Sequence, residues 1–173
     1  MPKLKINQSD LETAFELGTN DATAYLDSEK GAVLIIEETT VAWIEDLVTD
    51  QETLDDVHEM LMDNPELSPT DRAQLLEAAQ VDWDTVHRYR QIPQQDSHAG
   101  YGDMADFIAS LEDDRAREVL AVAIQGSGAF RRFKDALARN PDLEASWYTF
   151  RDARTLERLL EWLEEEEISA DLV

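Results

Sequence analysis

Hydrophobic and polar positions follow a helical repeat through the C-terminal part of the chain. Beyond Gly100, apolar side chains recur every three or four residues, the spacing that places them on one face of a helix. Pro141 suits the first turn of the final stretch, because that position needs no backbone N–H. The pattern predicts four helices. Their apolar stripes are Met104, Phe107, Ile108 and Leu111; Ala116, Val119, Leu120, Ala123 and Ile124; Phe130, Phe133 and Leu137; and Leu143, Trp147, Phe150, Ala153, Leu156, Leu160 and Leu163.

The N-terminal part shows a different pattern. Two β-prone runs, residues 22–27 and 32–37, flank a short turn that contains Gly31, which predicts a β-hairpin. A hairpin alone is marginal in water. Residues 89–92 are therefore predicted as a third strand, which would end at Pro93.

Helix boundaries are also readable in this part. Ser9 is predicted as an N-cap, with Glu12 completing a capping box and Gly18 ending the helix. The acidic middle of the chain predicts a helix over residues 49–62. A second helix begins at Ser68-Pro69, and a turn or two of helix is predicted over residues 82–89.

Together these elements predict an α+β fold that is mostly α. A small N-terminal hairpin layer, with three strands if the third one pairs, would pack on a C-terminal bundle of about four helices. A length of 173 residues suits a single domain. Within it we distinguish a helix and hairpin (1–38), an acidic helical insertion (39–88), a strand and linker (89–99) and the bundle (100–173).

Several sequence motifs resemble a known family. GSGAFRRFKDAL, WYTFRDAR, RLLEWLEE, YLDSEKGAVLII and IPQQDSHAGYGDMADFI look like segments of the bacterial uncharacterised protein family 0158. The resemblance extends over most of the chain except residues 39–82. It implies a shared fold and a bacterial origin, and it brings no activity, cofactor or catalytic residue with it.

Charge narrows the possible functions. The chain has 39 acidic and 15 basic residues, a formal net charge of -24. Sequence-independent binding to nucleic acid or to anionic membranes is not expected, because both require Lys and Arg contacts to phosphate. Three explanations of the acidity are open: solubility or a high-salt habitat, an acidic face for a basic partner, and mimicry of nucleic-acid charge.

Composition also bears on compartment and chemistry. The absence of cysteine excludes disulfides and thiolate catalysis. The longest apolar run, residues 32–36, is too short to cross a bilayer, and no signal peptide is recognisable, so a cytoplasmic protein is expected. The three histidines lack the spacing of a zinc site, and no calcium loop, phosphate loop or catalytic triad is present. No metal, cofactor or catalytic residue is predicted.

A glycine-flanked turn is the candidate anion site. Positive charge gathers beside two glycines at a predicted helix start, where backbone N–H groups are unpaired. The alternative is structural: the glycines end one helix and start the next, and the arginines pair with acidic side chains. The candidate ligands are Gly126, Ser127, Gly128, Arg131, Arg132 and Lys134, joined by Arg151 and Arg154 one turn apart on the last helix.

Aromatic residues near this turn also have two interpretations. Trp147, Tyr148 and Phe150 could stack on a ligand ring. The more ordinary interpretation is a core in which Trp147 and Phe150 pack against Phe130 and Phe133, with the Tyr148 hydroxyl in solvent.

Without a catalytic constellation, the sequence favours a non-catalytic protein-interaction or regulatory module. Residues 39–82 or the arginine-rich face of residues 126–154 would contact a protein partner, including a basic one. The alternative is a small-molecule or phosphate-binding protein, or an enzyme, that uses the helix start at Gly126 to Gly128.

Overall fold

The computed structural model describes residues 3–17 and 21–173, and it has the mostly helical α+β architecture that the pattern predicts. Its strands and helices are β1 (Leu4–Ile6), α1 (Gln8–Phe15), β2 (Ala22–Asp27), β3 (Val33–Glu37), α2 (Glu38–Leu47), α3 (Leu54–Asp63), α4 (Pro69–Asp82), β4 (Tyr89–Gln91), α5 (Ser97–Ser110), α6 (Asp114–Ala123), α7 (Ala129–Leu137), α8 (Pro141–Glu165) and β5 (Ala170–Leu172).

The chain divides into two compact units. The sheet unit comprises Met1–Gln94 and Leu163–Val173, and the bundle unit comprises Gln95–Trp162. The boundary falls within α8, between Trp162 and Leu163.

The sheet unit contains a three-stranded antiparallel sheet in the order β3-β2-β4. Tyr25 on the central strand pairs with Leu34 on one side and with Gln91 on the other, so the predicted hairpin and third strand are both confirmed. Strands β1 and β5 form a separate parallel pair that the sequence did not reveal.

Gly31, after β2, has a φ of 74°, in the left-handed region. A Cβ there would lie 2.0 Å from the carbonyl oxygen of Lys5, so this turn requires glycine.

Helices α2, α3 and α4 form the acidic part of the sheet unit. The helix predicted over residues 49–62 is α3, which begins only at Leu54, after a capping box of Thr53 and Asp56 that was not predicted. Ser68 caps α4 ahead of Pro69, as the sequence predicts. Helix α2 was not predicted, because β3 runs into it without a glycine, a proline or a side-chain cap. The buried core of this region contains Ile36, Ile44, Val57, Leu61, Leu67, Leu75, Ala78 and Ala79.

Two further predicted details of this unit are wrong. Asn7, not Ser9, caps α1: its side-chain oxygen accepts the backbone N–H of Asp10, and Ser9 lies inside the helix. The predicted stop at Gly18 lies outside the described residues.

The second error is the turn of helix over residues 82–89. Helix α4 ends at Asp82, and the Asp84 carboxylate then accepts the backbone N–H groups of Val86 and Tyr89. His87 has a φ of 56°, which no right-handed helix accommodates. Local side-chain hydrogen bonds therefore replace the helix here.

The four predicted helices are α5, α6, α7 and α8, and the bundle unit contains them as far as Trp162 of α8. Its core is aromatic. The rings of Phe133 and Trp147 meet edge-on with centroids 4.9 Å apart, Phe107 contacts both, and Phe150 lies 5.5 Å from Phe107. Such edge-to-face pairs add stability beyond the area that they bury.

Some residues of the predicted stripes are not core. Phe130 is 48% exposed, and its ring lies over Gly100, where a Cβ would be 3.2 Å away. Val119 and Leu160 are also exposed. The prediction that Phe130 belongs to the aromatic core is therefore wrong. Tyr148 is 39% exposed, as expected for a residue at the edge of that core.

Candidate functional site

The turn between α6 and α7 has the backbone that its glycines suggest. Gly126 and Gly128 have φ values of 72° and 78°, a conformation that costs other residues about 1–2 kcal/mol. Gly128 is the N-cap of α7 and offers no side chain to the first N–H groups of that helix.

Arg132 holds this turn together. Its Nε donates to the carbonyl oxygen of Ala123 at 2.9 Å, and its two terminal nitrogens donate to the carbonyl oxygens of Ser127 and Gln125. These carbonyls lie at the C-terminal end of α6 and beyond it, where the negative end of the helix dipole favours a cation. The guanidinium thus binds backbone of its own chain, a role that sequence reasoning missed.

The other predicted anion ligands are distributed between α7 and α8. Arg151 pairs with Asp152 at 2.9 Å and lies over the ring of Tyr148. Arg154 pairs with Asp106 of α5 at 3.2 Å and lies over the ring of Phe150.

Arg131 and Lys134 are exposed on α7 and have no ion-pair partner within the described residues. Anion binding at Gly126, Ser127 and Gly128 stays a prediction, and it would have to proceed without the fork of Arg132.

Residues 39–82, which we call the acidic segment, contrast with this turn. They contain twelve acidic residues and one basic residue, Arg72. All twelve acidic side chains are exposed except Asp71, which is half-buried. Two large apolar side chains are exposed among them: Trp43, at 38%, and Met62, at 49%.

The guanidinium of Arg72 binds backbone carbonyl oxygens and does not pair with the carboxylates of the acidic segment. Its Nε donates to the carbonyl oxygen of Leu61 at 2.9 Å, and one terminal nitrogen donates to those of Asn64 and Leu67 at 2.9 and 3.3 Å. These bonds close the connection between α3 and α4. The acidic segment therefore has no cation that pairs with its carboxylates.

Two buried aspartates form fork-shaped ion pairs that the sequence did not identify. In the sheet unit Asp27 accepts two hydrogen bonds from Arg88, at 2.8 and 2.6 Å, and also the N–H groups of Glu29 and Lys30. Burial raises the pKa of Asp27, but these hydrogen bonds outweigh it and bring its pKa below the usual value.

In the bundle unit Asp103 accepts two hydrogen bonds from Arg158, at 2.7 and 2.6 Å, and these raise the pKa of Arg158. Both pairs link elements distant in sequence: a hairpin turn to the approach to β4, and α5 to α8. We therefore assign these two ion pairs a structural role in stabilising the fold.

In the part of the chain that the structure describes, no group of three or more acidic or histidine side chains could hold a metal ion. No helix among these residues is both long and apolar enough to span a bilayer.

Comparison with known proteins gives a family. The model of the Uncharacterised protein family (UPF0158) matches residues 76–172, more than half of the chain. Four of the five motifs named above lie in this range, whereas the hairpin motif of residues 25–36 precedes it.

One similar protein is UPF0158 protein PA5073 of Pseudomonas aeruginosa. It is 37% identical over 67 residues, which are 39% of this chain and 44% of that protein, so the match spans less than half of the relative's length. No solved structure matches the chain. The family match over residues 76–172 shows that this chain belongs to the Uncharacterised protein family (UPF0158).

Proposed function

We propose that this protein is a non-catalytic protein-interaction module whose acidic segment binds a basic surface of a partner protein. The observation that carries the proposal is the unneutralised charge of the segment. Eleven of its twelve acidic side chains are exposed, and its single arginine binds backbone carbonyls.

Such a surface favours a basic protein for electrostatic reasons. Complementary charge accelerates encounter and suppresses binding to acidic proteins, and like charge repels the phosphates of nucleic acids. Charge alone gives little affinity, because exposed ion pairs contribute about 0–1 kcal/mol each. Trp43 and Met62 supply the apolar contact area that a protein interface needs.

The distribution of charge supports binding over general solubility. The sheet unit contains 26 acidic and 6 basic residues, and the bundle unit contains 13 and 9, so their net charges are -20 and -4. A charge needed only for solubility has no reason to concentrate in one unit.

A charge-matched pair of variants tests the proposal. One variant, E59Q/D63N/E66Q, neutralises three exposed acids around Met62, and the control, E112Q/E118Q/D135N, neutralises three exposed acids of the bundle unit. Both change the net charge equally. Each protein is immobilised, exposed at low salt to lysate of the bacterium that encodes it, and its bound proteins are quantified by mass spectrometry.

We expect the unaltered protein and the control to enrich the same basic proteins, and the acidic-segment variant to capture much less of them. A wash at about 0.5 M salt should elute the captured proteins from the unaltered protein. Equal capture by the two variants, or no enrichment of basic proteins by the unaltered protein, would contradict the proposal.

A further inference from the structure

The sheet unit contains a cavity of about 290 Å³ beside the acidic segment. Strands β2 and β3 form one side of it, and helices α2 and α4 form the other. Its deep part is apolar, because Ile36, Ile44 and Ala78 line it and are buried. The exposed side chains of Glu38 and Asp82 also line it and mark its mouth.

The mouth of this cavity is negatively charged. No basic residue lines the cavity, and neither Glu38 nor Asp82 has an ion-pair partner within residues 3–17 and 21–173. Asp82 is the last residue of α4, where the helix dipole adds further negative potential. Burial raises the pKa of Tyr25, which also lines the cavity, and the nearby charge of Asp82 raises it further. The Tyr25 hydroxyl is therefore neutral at physiological pH.

Size and polarity restrict what this cavity can hold. Pockets for small molecules and cofactors usually measure about 300–1,000 Å³, and this cavity lies at the lower end of that range, where a single large side chain can be accommodated. The apolar deep part disfavours a charged tip, which would be desolvated there without a partner. The mouth, in contrast, favours cations on either side of the inserted group.

We propose that the cavity holds a large apolar side chain of the basic partner, and that Lys or Arg residues adjacent to it in the partner's sequence pair with Glu38 and Asp82. This inference rests on the proposed function, since the occupant belongs to the same basic protein. It specifies the partner's motif: an apolar anchor between basic residues.

Short peptides test this motif. The probe is acetyl-Lys-Lys-Phe-Lys-Lys-amide, and its matched control has Ala in place of Phe, so the charges are the same. Isotope-labelled protein is titrated with each peptide at about 50 mM salt and followed by NMR. We expect the Phe peptide to bind at least tenfold more tightly and to shift the signals of Thr23, Val41 and Val81, which line the cavity.

Charge-matched variants locate the effect. E38Q/D82N should weaken binding of the Phe peptide at least tenfold, whereas E45Q/D46N, which neutralises two exposed acids of α2 outside the cavity, should weaken it less than twofold. All four side chains are exposed, so both variants should fold, which circular dichroism verifies.

Equal affinity of the two peptides, or equal weakening by the two variants, would overturn the cavity assignment. Capture of basic proteins that is lost in E59Q/D63N/E66Q but unchanged in E38Q/D82N would also overturn it, and would leave the proposed function standing. Binding of the Phe peptide that is lost in E38Q/D82N and retained in E45Q/D46N would support the cavity assignment.

Discussion

The sheet unit, which combines strands with helices, and the helical bundle unit differ sharply in net charge, at -20 and -4. In the bundle unit nine basic residues are interspersed with thirteen acidic ones, and Arg117, Arg154 and Arg158 pair with carboxylates of their own unit. In the acidic segment the single arginine binds carbonyl oxygens instead. Most of the net charge of -24 therefore belongs to the sheet unit, and a charge-dependent function is expected there.

The cores differ as well. The bundle unit is built around four aromatic rings, of which Phe107 and Trp147 each contact the other three, whereas the buried core of the acidic part of the sheet unit is aliphatic. The stability of the bundle unit thus depends on a few large residues. Each unit also has one buried aspartate in a fork-shaped ion pair, Asp27 with Arg88 in the sheet unit and Asp103 with Arg158 in the bundle unit.

The largest effect is expected from Trp147→Ala in the bundle unit. Trp147 contacts three other aromatic rings, and loss of such a residue from a core costs about 3–5 kcal/mol in unfolding free energy. Tyr148→Ala is the control: this neighbour is exposed and should cost less than about 1 kcal/mol. Urea denaturation followed by far-UV circular dichroism measures both. Equal destabilisation by the two variants would show that the aromatic cluster is not the core of the bundle.

Asp27→Asn should have the largest effect in the sheet unit. The buried Asp27 carboxylate accepts hydrogen bonds from Arg88, and hydrogen bonds to a charged group contribute about 1.5–3 kcal/mol to the free energy of unfolding, so we expect a loss in this range. The pKa of Asp27 is lowered in the folded protein, so its contribution is present above the unfolded pKa, near 4, and is lost as the pH falls through the folded value.

Urea denaturation at pH 7, 5 and 3 measures this contribution. The difference between the two proteins should be greatest at pH 7 and should shrink at pH 3. Glu29→Gln is the control: it removes an exposed carboxylate 2.9 Å from the same arginine and should have little effect. A difference that grew at pH 3 would contradict the assigned direction.

Arg132→Ala and Arg131→Ala separate the two interpretations of the glycine-flanked turn. Arg132 donates to three carbonyl oxygens, so its loss should destabilise the protein by about 1–2 kcal/mol, whereas the loss of exposed Arg131 should change stability by less than about 0.5 kcal/mol. Thermal denaturation with and without 10 mM phosphate, at matched ionic strength, adds a test for anion binding. Stabilisation by phosphate that depends on Arg131 would favour the anion site that the sequence predicts.

The smallest effect concerns salt. Asp55, Glu59 and Asp63 follow each other at steps of four on α3, and like charges at this spacing cost about 0.2–0.5 kcal/mol per pair. Screening by about 0.5 M NaCl should raise the free energy of local unfolding of α3 by up to roughly 1 kcal/mol. The increase should be smaller in α7, where basic and acidic side chains both occur. Hydrogen exchange resolved by residue measures the difference. Equal responses of the two helices would contradict the contrast between the units.

Some of these features were readable from local sequence. The four bundle helices, the hairpin and the cap at Ser68 were predicted, because apolar periodicity, a glycine turn and an N-cap followed by proline act within a few residues. Helix α2 was not predicted, because it lacks such local signals. It begins directly after β3, and the side chain of its N-cap, Glu37, makes no capping hydrogen bond to the helix, so no local signal marks its start.

The candidate site depended on tertiary structure to a greater degree. The sequence showed that Arg131 and Arg132 are adjacent to a glycine turn, but not that Arg132 folds back onto three carbonyl oxygens. The sequence indicated an acidic segment, but it did not reveal the cavity, which is lined by residues of two strands and two helices. A side chain's partners are set by packing, which a pattern along one element does not contain.

The sequence by itself determined which stretches are helix or strand and how strongly acidic the protein is, since hydrophobic spacing, turn residues and charge are local properties. Only the tertiary structure decided that β1 and β5 pair, that Asp27 and Asp103 have buried arginine partners, and that Glu38 and Asp82 flank one cavity. These contacts join residues far apart in the chain, and they form because the collapsed core brings them within hydrogen-bond distance or onto the same surface.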